Sequence, residues 1–374
     1  MLTANLRSAF PPSPRLRDLA LCPHGSITDG ELQVLGMDRS AIIDFSASTN
    51  PLGPSPAVRQ ALATVEIGRY PDDAAMALRQ KLANRTGLDM SCLLAGNGSS
   101  ELIWLLALAY LDPADHVLVV GPTFGEYARA ARIMGAEVTE WRADAAADFR
   151  PDVESLGATI HRLVPKIVVL CNPNNPTGVL LHRSEVERVL AATPGLLVLD
   201  EAYIGFVEKP PAMLDLVVNT HLVVLRSLTK DYALTGLRLG YAAAAPPVIE
   251  TIGKVRPPWS VNAAAQAAGV AALGDAAHAE RSRAVLREAK EYLLAELHGL
   301  GWRVVPSMAN FLLVEVGDGA RFRQQVLRHG CVVRDCASFG LPGYVRIAVR
   351  TLPECRRLVS AMAAVQNEAH GGRW

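Results

Sequence analysis

The middle of this chain alternates short apolar runs with helix-like stretches, and that alternation constrains the fold more than any other feature. The runs are Val117–Val120, Ile167–Leu170, Leu196–Leu199, Leu222–Leu225 and Leu239–Ala243. Between them lie helix-like stretches such as Ser100–Leu111 and Ser184–Ala192. Continuous Val, Ile and Leu runs of four or five residues suit strands buried on both faces, and a β–α–β order predicts an α/β fold with a mostly parallel sheet. In such sheets ligands bind beyond the carboxyl ends of the strands, so the segments that follow each run are where chemistry is expected. After Trp259 the texture changes. Small helix formers (Ser260–Leu273), a long charged helix (Glu280–Leu297), a strand (Phe311–Val316), a helix (Ala320–His329) and a strand (Tyr344–Val349) read as a smaller α+β unit. The expected organisation is a lead-in over 1–22, a segment over 23–50 packing on the small domain, a large domain over 51–260 and a small C-terminal domain over 261–374.

The strand-end segments are unusually rich in chemistry. G-N-G-S-S-E (Gly96–Glu101) opens a helix, and glycine N–H groups at a helix N-terminus suit a phosphate; a plain turn with Ser99 as cap explains it equally well. G-P-T-F-G-E-Y (Gly121–Tyr127) places Phe124 where it could stack on an aromatic ring, though a core Phe is the simpler reading. N-P-N-N-P-T-G (Asn172–Gly178) carries two Asn-Pro steps and offers Asn175 as a hydrogen-bond donor to a ring oxygen. L-V-L-D-E-A-Y (Leu197–Tyr203) ends a buried strand in Asp200, which is costly without a cationic partner such as a pyridinium N–H. Tyr203 could reach the same ring oxygen as Asn175. R-S-L-T-K-D-Y-A-L-T-G-L-R (Arg226–Arg238) puts a hydroxyl, an amine and a guanidinium within one short stretch, enough to grip a phosphate with Ser227 and Arg238 and trap an aldehyde with Lys230. Y-V-R-I-A-V-R (Tyr344–Arg350) buries Arg346 in an apolar strand, which predicts an anion opposite it. Each motif alone has a bland alternative. Their order on successive strand ends predicts a site for pyridoxal 5′-phosphate (PLP).

With these residues in place, the chain resembles the fold-type-I PLP enzymes, aspartate aminotransferase-like in architecture and nearest the histidinol-phosphate aminotransferase group, from about His24 to Leu358. The resemblance implies that Lys230 carries the cofactor as a Schiff base, with Asp200 on the pyridinium and Asn175 and Tyr203 on the ring oxygen. It also implies that Phe124 stacks on the ring, that Gly98, Ser99, Ser227 and Arg238 hold the phosphate, and that Tyr70, in R-Y-P-D, reaches a partner's cofactor phosphate across a homodimer. Within the group, P-H-G-S-I-T (Pro23–Thr28), D-F-S-A-S-T-N-P-L-G-P (Asp44–Pro54), P-P-W-S-V-N-A (Pro257–Ala263), V-R-D-C-A-S-F (Val333–Phe339) and the second arginine, Arg350, look most like the threonine-phosphate decarboxylases of cobalamin biosynthesis. Ser26 and Ser48 depart from that pattern. The expected reaction is then decarboxylation of L-threonine O-3-phosphate to (R)-1-amino-2-propanol O-2-phosphate and CO2, with His24, Ser48, Asn50, Arg334, Arg346 and Arg350 around the substrate. The alternative is an aminotransferase of the histidinol-phosphate type using 2-oxoglutarate and glutamate. The two differ in which bond at the substrate carbon stands perpendicular to the ring, and so in where the anions are gripped.

Composition narrows the rest. The chain has 374 residues, half of them hydrophobic, and a formal net charge of zero. No basic excess points to nucleic acid, and a DNA-binding domain ahead of residue 24 is not expected. The six cysteines show no C-x-x-C pair and the nine histidines no H-E-x-x-H, so reduced thiols, no metal site and a cytoplasmic location are expected. No apolar run approaches bilayer length, and the N-terminus lacks the apolar core of a secretory signal.

Overall fold

The computed structural model describes residues 13–16, 19, 22, 25 and 27–371. His24 and Ser26 lie outside the described residues. The strands in chain order are β1 (Ile43–Asp44), β2 (Leu93–Gly96), β3 (His116–Gly121), β4 (Glu137–Arg142), β5 (Ile167–Cys171), β6 (Leu196–Asp200), β7 (Leu222–Ser227), β8 (Gly240–Ala243), β9 (Arg303–Val305), β10 (Phe311–Glu315), β11 (Cys331–Val332), β12 (Arg334–Asp335) and β13 (Tyr344–Ala348).

Seven strands form one sheet in the order β2-β8-β7-β6-β5-β3-β4. Every pairing in it is parallel except those of β8, which runs antiparallel to both β7 and β2. The period-two alternation of a strand divides the apolar runs between two cores. Leu118, Leu170, Leu199 and Val224 face one helical layer, and Val119, Val169, Val198 and Val223 face the other. Covered on both faces, these central strands need no polar positions, and they have almost none until their carboxyl ends. β2 and β4 were not anticipated. β4 (E-V-T-E-W-R) is an edge strand with exposed charges, and β2 is a four-residue run that leads directly into the Gly96 turn.

The C-terminal part has a four-stranded antiparallel sheet, β12-β13-β10-β9. The long helix Ala276–Gly299 lies against it, burying Leu286, Ala289, Leu293 and Leu297 at helical spacing. These meet Leu312, Val314, Val345 and Ile347 of the sheet and Leu358 and Met362 of the helix Leu352–Gly371. β1 pairs in parallel with β11, and Ile27 and Leu32 pack on Leu327 and Val332. The segment ahead of the large sheet is thereby fixed to the C-terminal part, and the stretch that follows β1 crosses the mouth of the strand ends.

Candidate active site

The carboxyl ends of β5, β6 and β7 open onto a cavity of about 320 Å³. Its lining includes Lys230, Tyr203, Asn175, Phe124, Arg238 and Ser48, together with Arg334 and Arg346 from the C-terminal sheet. Residues separated by up to three hundred positions thus meet where the alternation placed ligand chemistry.

Asp200 sits below the cavity floor, 3 % exposed. One carboxylate oxygen accepts from the Tyr127 hydroxyl at 2.7 Å and the other from the Ala202 N–H at 2.9 Å. Burial pushes its carboxyl up, while the Tyr127 hydrogen bond and the Lys230 charge pull the other way. Burial also raises Tyr127 well above the ordinary phenol range. That hydroxyl therefore stays a donor to Asp200. Tyr127 lies in the G-P-T-F-G-E-Y stretch but had no role assigned from sequence; its place three residues after Phe124, on a helix starting at Glu126, was the available signal. Lys230 Nζ lies 5.1 Å from the centre of the Tyr203 ring, which packs edge-on to Phe311.

Around Arg238 a helix N-terminus meets a guanidinium. Gly98 begins the helix Gly98–Tyr110 with φ +76°, and a Cβ there would lie 2.7 Å from Arg238 Nη2. Only glycine lets that guanidinium lie so close to the helix N-terminus, where N–H groups and a cation converge. Ser227 Oγ is 2.6 Å from Thr229 Oγ1. Ser100, Thr229 and Thr235 line the cavity, whereas Gly98, Ser99 and Ser227 stand just behind it. Thr229, next to Lys230 in S-L-T-K, is a further hydroxyl that sequence reading passed over.

On the opposite wall, Arg334 and Arg346 are registered partners across the antiparallel pair β12–β13, and both line the cavity. Like charges directly across a strand pair repel, so the arrangement suits an anion between them. Arg346 is 5 % exposed; it donates to the Ser46 carbonyl at 2.8 Å and, through Nη1, to Asn175 Oδ1, while its Nε has no hydrogen-bond partner. With its oxygen held by Arg346, Asn175 has its amide N–H groups left as donors. Arg334 donates to Ser338 Oγ at 2.8 Å and lies over the Phe339 ring.

Two expectations for this wall require correction. Arg350 does not line the cavity: β13 ends at Ala348, and the first turn of the next helix supplies Glu354, whose carboxylate takes Arg350 Nε and Nη2 at 2.9 and 2.6 Å. Asn50 does not line it either, because its side chain is used inside the protein. Ser48 does line it, with a buried hydroxyl that has no partner. Tyr70 is 78 % exposed and stacks on Trp259 with ring centres 4.3 Å apart, away from this chain's own cavity. Among the described residues no cluster could hold a metal ion, and no helix is long and apolar enough to cross a membrane.

Residues 40–362 match the family described as aminotransferase class I and II. A histidinol-phosphate aminotransferase of Symbiobacterium thermophilum is 41 % identical over 335 residues, covering 87 % of this chain and 91 % of that protein. Among solved structures, the histidinol-phosphate aminotransferase of Sinorhizobium meliloti, in complex with pyridoxal-5′-phosphate, gives a TM-score of 0.86 at 22 % identity over 96 % of this chain and 98 % of that one, a likeness of fold. Aspartate aminotransferase of Thermus thermophilus gives 0.79 at 25 % identity over 90 % and 94 %. The decarboxylase expectation is overturned by these relatives, since curated proteins between 35 % and 41 % identical carry the name histidinol-phosphate aminotransferase. Arg350, which had tipped the resemblance towards a decarboxylase, is the arginine that Glu354 withdraws from the cavity. A lysine, a buried aspartate and a helix-borne anion cradle at the ends of a mostly parallel sheet, with this kinship, mean that the chain belongs to the class I and II aminotransferases, PLP enzymes of fold type I.

Proposed function

We propose that this protein is an aminotransferase that moves the amino group of histidinol phosphate, or of a phosphorylated amine of the same class, to 2-oxoglutarate. The observation that carries the reading is the facing pair Arg334 and Arg346 in the same cavity as Lys230. Both substrates of such a reaction bring anions to one place in turn, a phosphate for one and a carboxylate for the other, and two guanidiniums meet both. The 41 % identity to a protein of that name supports the substrate class.

PLP, when bound, supplies an electron sink for the bond broken at the substrate carbon. The protein does the rest. Lys230 holds the cofactor and carries the proton taken from and returned to the substrate carbon. Asp200, held in place by Tyr127, keeps the ring nitrogen protonated. Asn175 and Tyr203 would hold the ring oxygen and Phe124 would pack on the ring. Arg238, Ser227 and the helix N-terminus at Gly98 and Ser99 grip the phosphate. Arg346 and Arg334, with Ser48, would grip the substrate's anion and so set its orientation over the cofactor. Residues 51–260 carry the cofactor and residues 261–374 the substrate arginines. Tyr70, on the surface with Trp259, serves the partner's site in a cytoplasmic homodimer.

The test is an incubation of the PLP-loaded protein with histidinol phosphate, with and without 2-oxoglutarate. Glutamate should form only with both, and Lys230→Ala should form none. Release of CO2, or no glutamate from the wild-type protein, would sink the substrate assignment.

A further inference from the structure

We infer that Asn50 is a positioning residue for Lys230, locking the turn that bears the lysine to the long helix of the C-terminal part. The inference rests on the reading that Lys230 carries the cofactor. Residues 46–49 line the cavity, but the chain then turns inward and Asn50 is 3 % exposed. Its backbone N–H donates to the Lys230 carbonyl at 2.9 Å. Its side-chain amide donates to the Asp231 carbonyl at 3.0 Å and to Ser282 Oγ at 2.8 Å, and its Oδ1 accepts from the Leu52 N–H at 3.0 Å. Both amide hydrogens are committed, so no donor remains for a substrate.

The consequence is geometric. One residue grips two consecutive carbonyls, those of Lys230 and Asp231, and so fixes the peptide unit from which the lysine side chain departs. The turn is backed on its other side by Gly205, where a Cβ would lie 2.4 Å from Asp231 Oδ2. It cannot retreat without a rearrangement. Ser282 sits in the helix Ala276–Gly299, which is tied to the same segment a second time by His278 Nε2 and the Gly53 carbonyl at 3.0 Å. A shift of that helix is therefore transmitted to the lysine through Asn50.

The test uses Asn50→Asp, which keeps the shape and the acceptor but removes both donors and sets a carboxylate against the Asp231 carbonyl. We expect kcat to fall roughly 10- to 100-fold with KM within about twofold of wild type. The pH midpoint of the visible absorbance of the Lys230–PLP linkage should move by about half a unit or more, a readout that needs no substrate. Ser282→Ala removes only the tie to the helix; it should lower kcat by roughly two- to fivefold and move the midpoint less, in the same direction. A raised KM with kcat and midpoint unchanged in Asn50→Asp would make Asn50 a substrate contact and overturn the inference. If Asn50→Asp does not fold, Ser282→Ala decides, and an unmoved midpoint there overturns it equally. Wild-type protein inactive on histidinol phosphate would refute the substrate assignment and leave the midpoint measurement standing. An absorbance band that survives in Lys230→Ala would refute the lysine assignment first.

Discussion

The two walls of the cavity are built on opposite principles. On the wall formed by the ends of β5, β6 and β7, several polar groups pair within the protein: Tyr127 on Asp200, Ser227 beside Thr229, Asn50 on the carbonyls of Lys230 and Asp231. On the wall formed by β12 and β13, two guanidiniums face each other and Arg346 leaves a buried N–H without a partner. The first wall is set before anything binds. The second holds a repulsion that an incoming anion relieves, so the anion gains from entering and the arginines need no reorganisation to meet it. In the proposed aminotransferase, fixed groups would serve the cofactor, which stays, and groups under electrostatic tension would serve substrates, which come and go.

The comparison can be broken most sharply at Asp200. Asp200→Asn keeps the shape and the Tyr127 contact but loses the charge, and steady-state turnover should drop on the order of 100-fold or more with little change in KM. A rate near wild type would remove the electron-sink role. On the other wall, Arg346→Lys replaces a fork with a point charge; KM should rise roughly tenfold or more while the cofactor absorbance stays as in wild type. A fall in kcat alone would mean that Arg346 acts through Asn175 rather than on substrate. Tyr127→Phe removes one donor from Asp200, and kcat should fall about tenfold, with cofactor dissociation by dialysis as the companion measurement. Arg350→Ala should be the mildest for activity. It breaks the contact with Glu354 and should lower the unfolding free energy by about 1 kcal/mol in a denaturant titration, leaving KM unchanged.

Much of the cofactor wall was legible in the sequence, because a strand buried on both faces leaves little freedom. Val and Leu fill β5, β6 and β7, so a charged or amide residue at their ends stands out. Asp200, Lys230 and Asn175 could be read off for that reason. β4 was hidden because an edge strand with glutamates and an arginine has no apolar run, and β2 because four residues ahead of a glycine turn are too few for a periodicity. The substrate wall was less legible. Arg346 and Arg350 look alike in Y-V-R-I-A-V-R, and only the end of β13 at Ala348 and the start of a helix bearing Glu354 separate them. Asn50 was expected at the substrate by resemblance, in D-F-S-A-S-T-N-P-L-G-P; its inward turn depends on Ser282 and Asp231, far away in the chain. The reaction type was misjudged for the same reason. Short matching stretches at residues 23–28 and 44–54 pointed to a decarboxylase, while the chain as a whole is kin to aminotransferases.

The contacts of Arg346 also set an order of events in time. It binds Asn175 and Ser46, 171 and 300 positions earlier in the chain. On the ribosome, the lysine, the aspartate and the phosphate cradle all emerge well before this arginine. N-terminal parts of large proteins tend to fold first, and contacts of long sequence separation form late. A nascent chain therefore has Lys230 and Asp200 before it has the arginine that closes the opposite wall. The two sides of the cavity are joined through Arg346 only when β13 has taken its place between β12 and β10.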